Sequence, residues 1–154
     1  MIAVESPDTP DVVELLEAHL RFAAATSPAE HVHALDLSGL LDPAVTFCTA
    51  RADGALLGVG ALRDLGEARA ELKSMHTAVA ARGRGVGRAM VDHLVAVAQA
   101  RGVRWVGLET GTMEEFLPAQ RLYASMGFER CAPFDAYTVN PYSLCMAKTL
   151  EPGR

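Results

Sequence analysis

Residues 82–90 read RGRGVGRAM. Gly83, Gly85 and Gly87 are interleaved with Arg82, Arg84 and Val86, and an apolar helical pattern begins at Val86. Ordered glycine costs backbone entropy, so this density asks for a conformation or a close approach that other residues refuse. Val86, Met90, Leu94 and Val97 share one stripe of a helix that runs to Arg101 and stops at Gly102. Arg88, Asp92 and Gln99 fall on its far side. No Ser, Thr, Asp or Asn caps this helix. Its first N–H groups lie in the glycine turn, where they and the helix dipole favour an anion, a phosphate above all. The alternative is a tight strand-to-helix turn with glycine as cap. The turn is not a P-loop, because Gly87 is followed by Arg88-Ala89 and not by Lys-Ser/Thr. It is not the dinucleotide fingerprint either, since the third glycine position falls on Arg88 or Met90.

Outward from the turn, the period of the pattern changes several times. MIAVE predicts a short strand at the N-terminus. Thr9-Pro10-Asp11 starts a helix carrying Val12, Val13, Leu15, Leu16, His19 and Leu20 to about Ala25. Ser27-Pro28-Ala29-Glu30 reads as a capping box opening a second helix. VTFCTAR (45–51) and ALLGVGALR (55–63), joined by Ala52-Asp53-Gly54, predict a β-hairpin. A third strand spans about 70–79. After the glycine-turn helix come a strand at 104–110, a helix from Phe116 to Met126 stopped by Gly127, and strands near 128–131 and 143–149. The order is β-α-α-β-β-β-α-β-α-β-β. It predicts an α/β chain with a mixed, predominantly antiparallel sheet and helices on both faces.

The chain has 154 residues, half of them hydrophobic, which suits one domain over 1–154. The net charge of -5 argues against nonspecific nucleic-acid binding. Residues 1–81 hold twelve acids against five bases, whereas residues 82–154 hold seven against nine. Arg82, Arg84 and Arg88 thus form a local positive cluster suited to a small anion. No apolar run approaches the roughly 20 residues of a membrane span, and the N-terminus lacks a secretory pattern, so a cytoplasmic protein is expected. Cys48, Cys131 and Cys145 form no CxxC or zinc pattern and read as reduced core thiols. Cys131 and Cys145 fall on strands that could be neighbours. His31-Val32-His33 lacks a third and fourth ligand at zinc spacing, so no metal is expected.

Arg82, Gly85 and Gly87 also fill the pattern R/Q-x-x-G-x-G/A. With ELKSMHTAVAARGRGVGRAM (71–90) before and within it, and PAQRLYASMGF (118–128) after it, the chain resembles the GNAT family of N-acetyltransferases. The second stretch resembles that family's helix ending L-Y-x-x-x-G-F. ELKSM, LETGT and LYASMGFERCAPFDAY resemble a bacterial subgroup of small members. Two positions depart from the common pattern: Phe116 stands where many members carry asparagine, and Val79 where many carry proline.

The resemblance implies the GNAT fold and acetyl-CoA as cosubstrate. Its pyrophosphate would sit on the backbone N–H groups of Arg82, Gly83, Arg84, Gly85, Val86, Gly87 and Arg88. The preceding strand would splay from its neighbour and bond the pantetheine through Met75, His76 and Thr77. An N–H there would polarise the thioester carbonyl. Tyr123 matches the tyrosine that protonates the leaving sulfur; its helical spacing with Phe116, Ala119, Leu122 and Met126 is also that of a core residue. Glu71, eleven residues before Arg82, matches the glutamate base of some members, with a Lys73 salt bridge as the plain alternative. Glu109 and His76 are rival bases; simple alternation puts His76 on the face opposite Glu71, unless a bulge in this strand, which is common in the family, upsets it. His33, Asp36, Phe134 and Tyr137 become candidate acceptor contacts. Lys73 with Glu71 and Glu109 would suit a small, amino-acid-like amine. The implied reaction is direct transfer in a ternary complex, possible also on a protein amine, and dimers are frequent in the family. A CoA-sensing module without catalysis and a nucleotide-binding oxidoreductase are the competing readings.

Overall fold

The computed structural model describes residues 1–26, 37–135 and 137–151. Seven strands form one sheet in the order β1-β2-β3-β4-β5-β7-β6. β1 (Ile2–Val4), β2 (Val45–Ala52), β3 (Ala55–Gly66) and β4 (Arg69–Thr77) pair antiparallel in succession. The β2–β3 hairpin turns on Asp53 and Gly54, with φ of 51° and 81°, the left-handed pair that matches strand twist. The chain then crosses through α3 (Val86–Ala100) to β5 (Trp105–Gly111), which runs parallel to β4. A parallel neighbour requires such a crossover. α4 (Leu117–Ser125), β6 (Glu129–Cys131) and β7 (Ser143–Thr149) follow, with β7 antiparallel to both β5 and β6.

Helices cover both faces, which is why β2 to β5 are apolar on alternate and intervening positions alike. On one face Cys48, Leu62, Leu72 and Leu108 pack with Met90, Val91, Leu94 and Ala98 of α3 and with Tyr123 of α4. On the other, Phe47, Val59 and Ala61 pack with Val12 and Leu16 of α1 (Pro10–Thr26) and with Leu40 of α2 (Leu37–Leu40). The expected order of the strands and of the other three helices is the observed one, whereas the second helix is expected from Ser27 and the described α2 lies at Leu37–Leu40. The capping box at 27–30 lies outside the described residues. β4 stops two residues short of expectation because Val79–Ala81 form a 3₁₀ turn. Cys48 and Cys145 are buried, but Cys131 is half-exposed on the short outer strand β6, so it is not a core thiol. Cys131 and Cys145 face each other across β6 and β7 with their thiols free. No helix among the described residues is long and apolar enough to cross a membrane.

Two contacts fix the α1 face. His19 of α1 meets His76 of β4, Nδ1 to Nδ1 at 3.2 Å. Burial, reinforced by His76, holds His19 down at about 4, and burial also lowers His76. Further along, Gly107 of β5 leaves room for the rings of Trp105 and Phe134; a Cβ there would stand 2.3 Å from Trp105 Cη2 and 2.9 Å from Phe134 Cε1. The Gly107→Ala variant should therefore unfold with a loss of about 1–3 kcal/mol, the usual cost of overpacking, in chemical denaturation. A histidine held neutral by folding takes up its proton in the unfolded chain first, so stability is full above about 6.5 and declines toward 4. His19→Gln should remove part of that decline. Denaturation curves compared between pH 7 and pH 4.5 would show it as a smaller stability difference than in the parent chain.

Candidate active site

The site begins with a break in strand register. Val59 of β3 pairs with His76 and Ala61 with Lys73, so Ser74 and Met75 together face the single Gly60. This is a β-bulge, and Ser74 takes the left-handed conformation at φ 55°. The bulge changes the alternation of β4. Glu71, Lys73 and His76 pair with Arg63, Ala61 and Val59, which alternate regularly on β3. All three therefore lie on the α1 face, and the expectation that His76 opposes Glu71 is overturned. Met75 packs instead into the α3 side.

The second feature is a parting of strands. β4 and β5 pair from Arg69–Trp105 to Leu72–Leu108 and no further, although β4 continues to Thr77 and β5 to Gly111. A cavity of about 780 Å³ extends along this opening. It reaches the glycine turn at one end and the charged cluster of β4 and β5 at the other. Polar backbone past the last pair lacks a sheet partner there and is available to a ligand.

At the turn, Gly85 caps α3 with φ 80° and no side-chain cap bond, and Gly83 has φ 76°. The sequence at 83 and 85 thus answers a geometric demand. Met75, His76, Thr77, Arg82, Gly83, Gly85, Val86, Gly87 and Arg88 all line the cavity. Arg84 is exposed and is not among the lining residues. Tyr123 of α4 lines it as well, edge-on to Phe128 at 5.9 Å. Tyr123 is therefore both a core residue and a cavity residue. Burial pushes its hydroxyl up to about 12, so it stays protonated at neutral pH.

At the other end Glu71 is 1% exposed, and Lys73 is buried beside it with Nζ 3.5 Å from Oε2. The Tyr137 hydroxyl donates to Glu71 Oε2 in a short hydrogen bond and accepts one from Lys73 Nζ at 2.7 Å. Arg63 Nη1 stands 4.0 Å from Glu71 Oε1 and 3.3 Å from Asp135. Burial raises the Glu71 pKa, opposed by Lys73, Tyr137 and Arg63. Glu109 accepts a hydrogen bond from the Ser143 hydroxyl at 3.1 Å and also lines the cavity. Phe134 is buried behind the site, edge-on to Trp105 and to Tyr137, and is a buttress rather than a lining residue. His33 and Asp36 lie outside the described residues.

Sequence reading missed His19, Phe22, Ser74, Tyr142 and Ser143, which also line the cavity. A histidine on the inward stripe of α1 was a legible signal for His19. Ser74 had none, because nothing local marks the bulge. Among the described residues no group of three or more His, Cys, Asp or Glu could hold a metal ion.

The Acetyltransferase (GNAT) family matches residues 10–128. Over 139 residues the chain is 40% identical to the uncharacterized N-acetyltransferase YsnE of Bacillus subtilis (strain 168), covering 90% of this chain and 92% of that protein. Over 150 residues it is 37% identical to an IAA acetyltransferase of Azospirillum brasilense, covering 97% of each. Among solved structures, a Klebsiella pneumoniae protein described as an acyl-CoA N-acyltransferase superposes with a TM-score of 0.83 at 26% identity, covering 98% of this chain and 97% of that one. An aminoglycoside 6'-N-acetyltransferase complexed with coenzyme A superposes with a TM-score of 0.72 over 100% of this chain and 99% of that one; at 15% identity this is a likeness of fold. The antiparallel run β2–β3–β4 ahead of the glycine turn also removes the nucleotide-binding oxidoreductase reading, which needs a parallel unit there. The family match over most of the chain makes this protein an acyltransferase enzyme and a member of the GNAT family of N-acetyltransferases.

Proposed function

We propose that the protein moves an acetyl group from acetyl-CoA to a primary amine of a small molecule, by direct attack in a ternary complex. The observation that carries this reading is the single cavity joining the glycine turn to the Glu71–Lys73–Tyr137 cluster through the opening between β4 and β5. A cofactor end and an acceptor end in one space need no covalent enzyme intermediate.

The residues present fit acetyl-CoA. The uncapped start of α3 offers converging N–H groups to a pyrophosphate, and Arg82 and Arg88 flank it. β4 past Leu72 offers backbone groups to an amide-bearing arm. Ser74 lines the cavity, and its buried Oγ has no hydrogen-bond partner, an unmet polar group beside the site. Acetyl-CoA supplies an activated acyl group and a thiol leaving group.

The chain's own residues do the rest. The backbone of Met75 to Thr77 is placed to polarise the acyl carbonyl. Glu71 is the final acceptor of the amine proton. Its raised pKa brings a carboxylate closer to that task than an exposed one. Tyr123, held protonated, donates its hydroxyl proton to the departing sulfur. Lys73, Glu109, Tyr137 and Tyr142 surround the acceptor end of the cavity. The charges there are mixed, which suits a small polar amine.

Calorimetry with acetyl-CoA, and separately with NAD, is the direct test: acetyl-CoA should bind and NAD should not. Gly85→Val forces a branched side chain to φ 80° and should weaken acetyl-CoA binding by at least about tenfold. Tyr123→Phe should lower kcat by about 10²–10⁴ with acetyl-CoA binding retained. The acceptor is sought by thiol release from acetyl-CoA with a panel of amino acids, alkylamines, polyamines and aminoglycosides. Failure of every panel member would remove the small-amine reading while leaving the cofactor site standing.

A further inference from the structure

Glu71 borders the cavity, but its neighbours cover its carboxylate. It is 1% exposed, and its Oε1 is sealed off without a hydrogen-bond partner. The groups that touch its other oxygen are Tyr137 and Lys73, and both line the cavity. Tyr137 is the more exposed of the pair it forms with Glu71. Its phenol oxygen stands at a junction: its O–H donates to Glu71 Oε2, and Lys73 Nζ donates to the oxygen at 2.7 Å. A phenol oxygen is donor and acceptor at once, so it can receive one proton while releasing another. Lys73 and Glu71 do not have this property in their charged forms, being donor and acceptor respectively.

Resting on the reading of Glu71 as final proton acceptor, we propose that Tyr137 is a catalytic residue that relays the amine proton to Glu71. An N–H bond of the acceptor ammonium breaks and a new O–H bond forms on Tyr137. The original Tyr137 O–H bond breaks and its proton joins Glu71 Oε2. The amine ends neutral and nucleophilic, Tyr137 ends as it began, and the carboxylate ends as a carboxylic acid. After product leaves, the same hydroxyl returns the proton to water. Tyr137 need not ionise, which agrees with burial and the neighbouring Glu71 holding its phenol well above the ordinary value. The cation of Lys73 stabilises negative charge that builds on the oxygen in passing.

The surroundings hold this hydroxyl in place. The Tyr137 ring stands edge-on to Phe134 with centroids 5.2 Å apart, and Lys73 Nζ lies 5.3 Å from its ring centre. Asp135, two residues earlier, is tied to Arg63 at 3.3 Å. Phe134 is thus held against β5, Asp135 against β3, and Tyr137 itself against β4.

The test compares the parent enzyme, Tyr137→Phe and Glu71→Gln with the panel amine of highest kcat/KM, across pH, with acetyl-CoA affinity as the control for folding. Tyr137→Phe should lose about 10²–10⁴ in kcat at unchanged acetyl-CoA affinity. Its residual activity should show an acidic limb moved to higher pH, since Glu71 loses a donor that favours the carboxylate. In mixtures of H₂O and D₂O the parent rate should fall along a curve that requires two protons in motion. Parent-like kcat and pH profile in Tyr137→Phe would overturn the relay, as would a straight-line or absent isotope dependence in the parent enzyme. If Tyr137→Phe does not fold, the isotope measurement is made in Tyr123→Phe, which lacks the second donor: two protons in motion there support the relay, and one overturns it. Full activity in Glu71→Gln would remove the Glu71 reading and the relay together. An inactive Glu71→Gln beside a fully active Tyr137→Phe would remove the relay alone. Turnover of no panel amine removes the acceptor reading and the relay with it.

Discussion

One extra residue in β4 organises the site. Where Ser74 and Met75 face Gly60, the strand gains a residue without gaining a partner. The local cost is a serine in the left-handed region, a conformation that non-glycine residues adopt sparingly. The return is positional. Beyond the bulge His76 joins Glu71 and Lys73 on one face, while Met75 fills the α3 side against Met90 and Leu94. β4 leaves the register it shares with β5 after Leu72, close to the same point. A regular strand would keep its partner, close the opening and send His76 into the opposite layer.

The opening in turn explains the charged residues. Two parted strands expose polar backbone and a cavity inside a sheet whose buried positions are mostly apolar. Glu71 and Lys73 would be costly there alone, because a buried unpaired charge loses its hydration. Together they offset each other, and Tyr137 and Arg63 complete the neutralisation of Glu71. Net stability from such a buried group is small at best. Its presence in the core is more readily understood as serving the chemistry at the cavity than as holding the fold together. The same holds for His19 and His76. Two neutral imidazoles joined through Nδ1 share one hydrogen, so one ring keeps a hydrogen on Nε2 and the other a lone pair there. The pair brings one donor and one acceptor to the cavity wall without any charge.

Most of the fold was legible because each strand and helix carries its own period. VTFCTAR and ALLGVGALR announce the hairpin through Asp53-Gly54, and β7 was read to the residue. The glycine turn was legible because its chemistry is local: Gly83 and Gly85 both sit at positive φ. What failed was non-local. The bulge at Ser74 exists because β3 supplies one residue where β4 supplies two, and neither strand shows this alone. The Tyr137–Glu71 bond joins residues 66 positions apart. Tyr137 was singled out as an acceptor contact, yet its bond to Glu71 was invisible. Phe134 was assigned the same role and proves to be the support behind it.

The two ends of the cavity are built from different materials, and this governs what relatives share. The cofactor end is mostly backbone: N–H groups of a glycine turn and the unpaired edge of β4. The other end is lined by side chains, two of them, Tyr137 and Tyr142, on the irregular segment between β6 and β7, with Phe134 behind them. Loop side chains can change without disturbing the sheet beneath. On the proposed reading, acceptor choice rests partly on this segment, which lies beyond the residues that the family model matches. Within it Tyr137 is the most restricted, because its ring, its hydroxyl and its neighbours in the chain are all engaged with β3, β4 or Phe134. Its one hydroxyl ties this loop position to a buried carboxylate, and it is on that bond that the proposed proton relay rests.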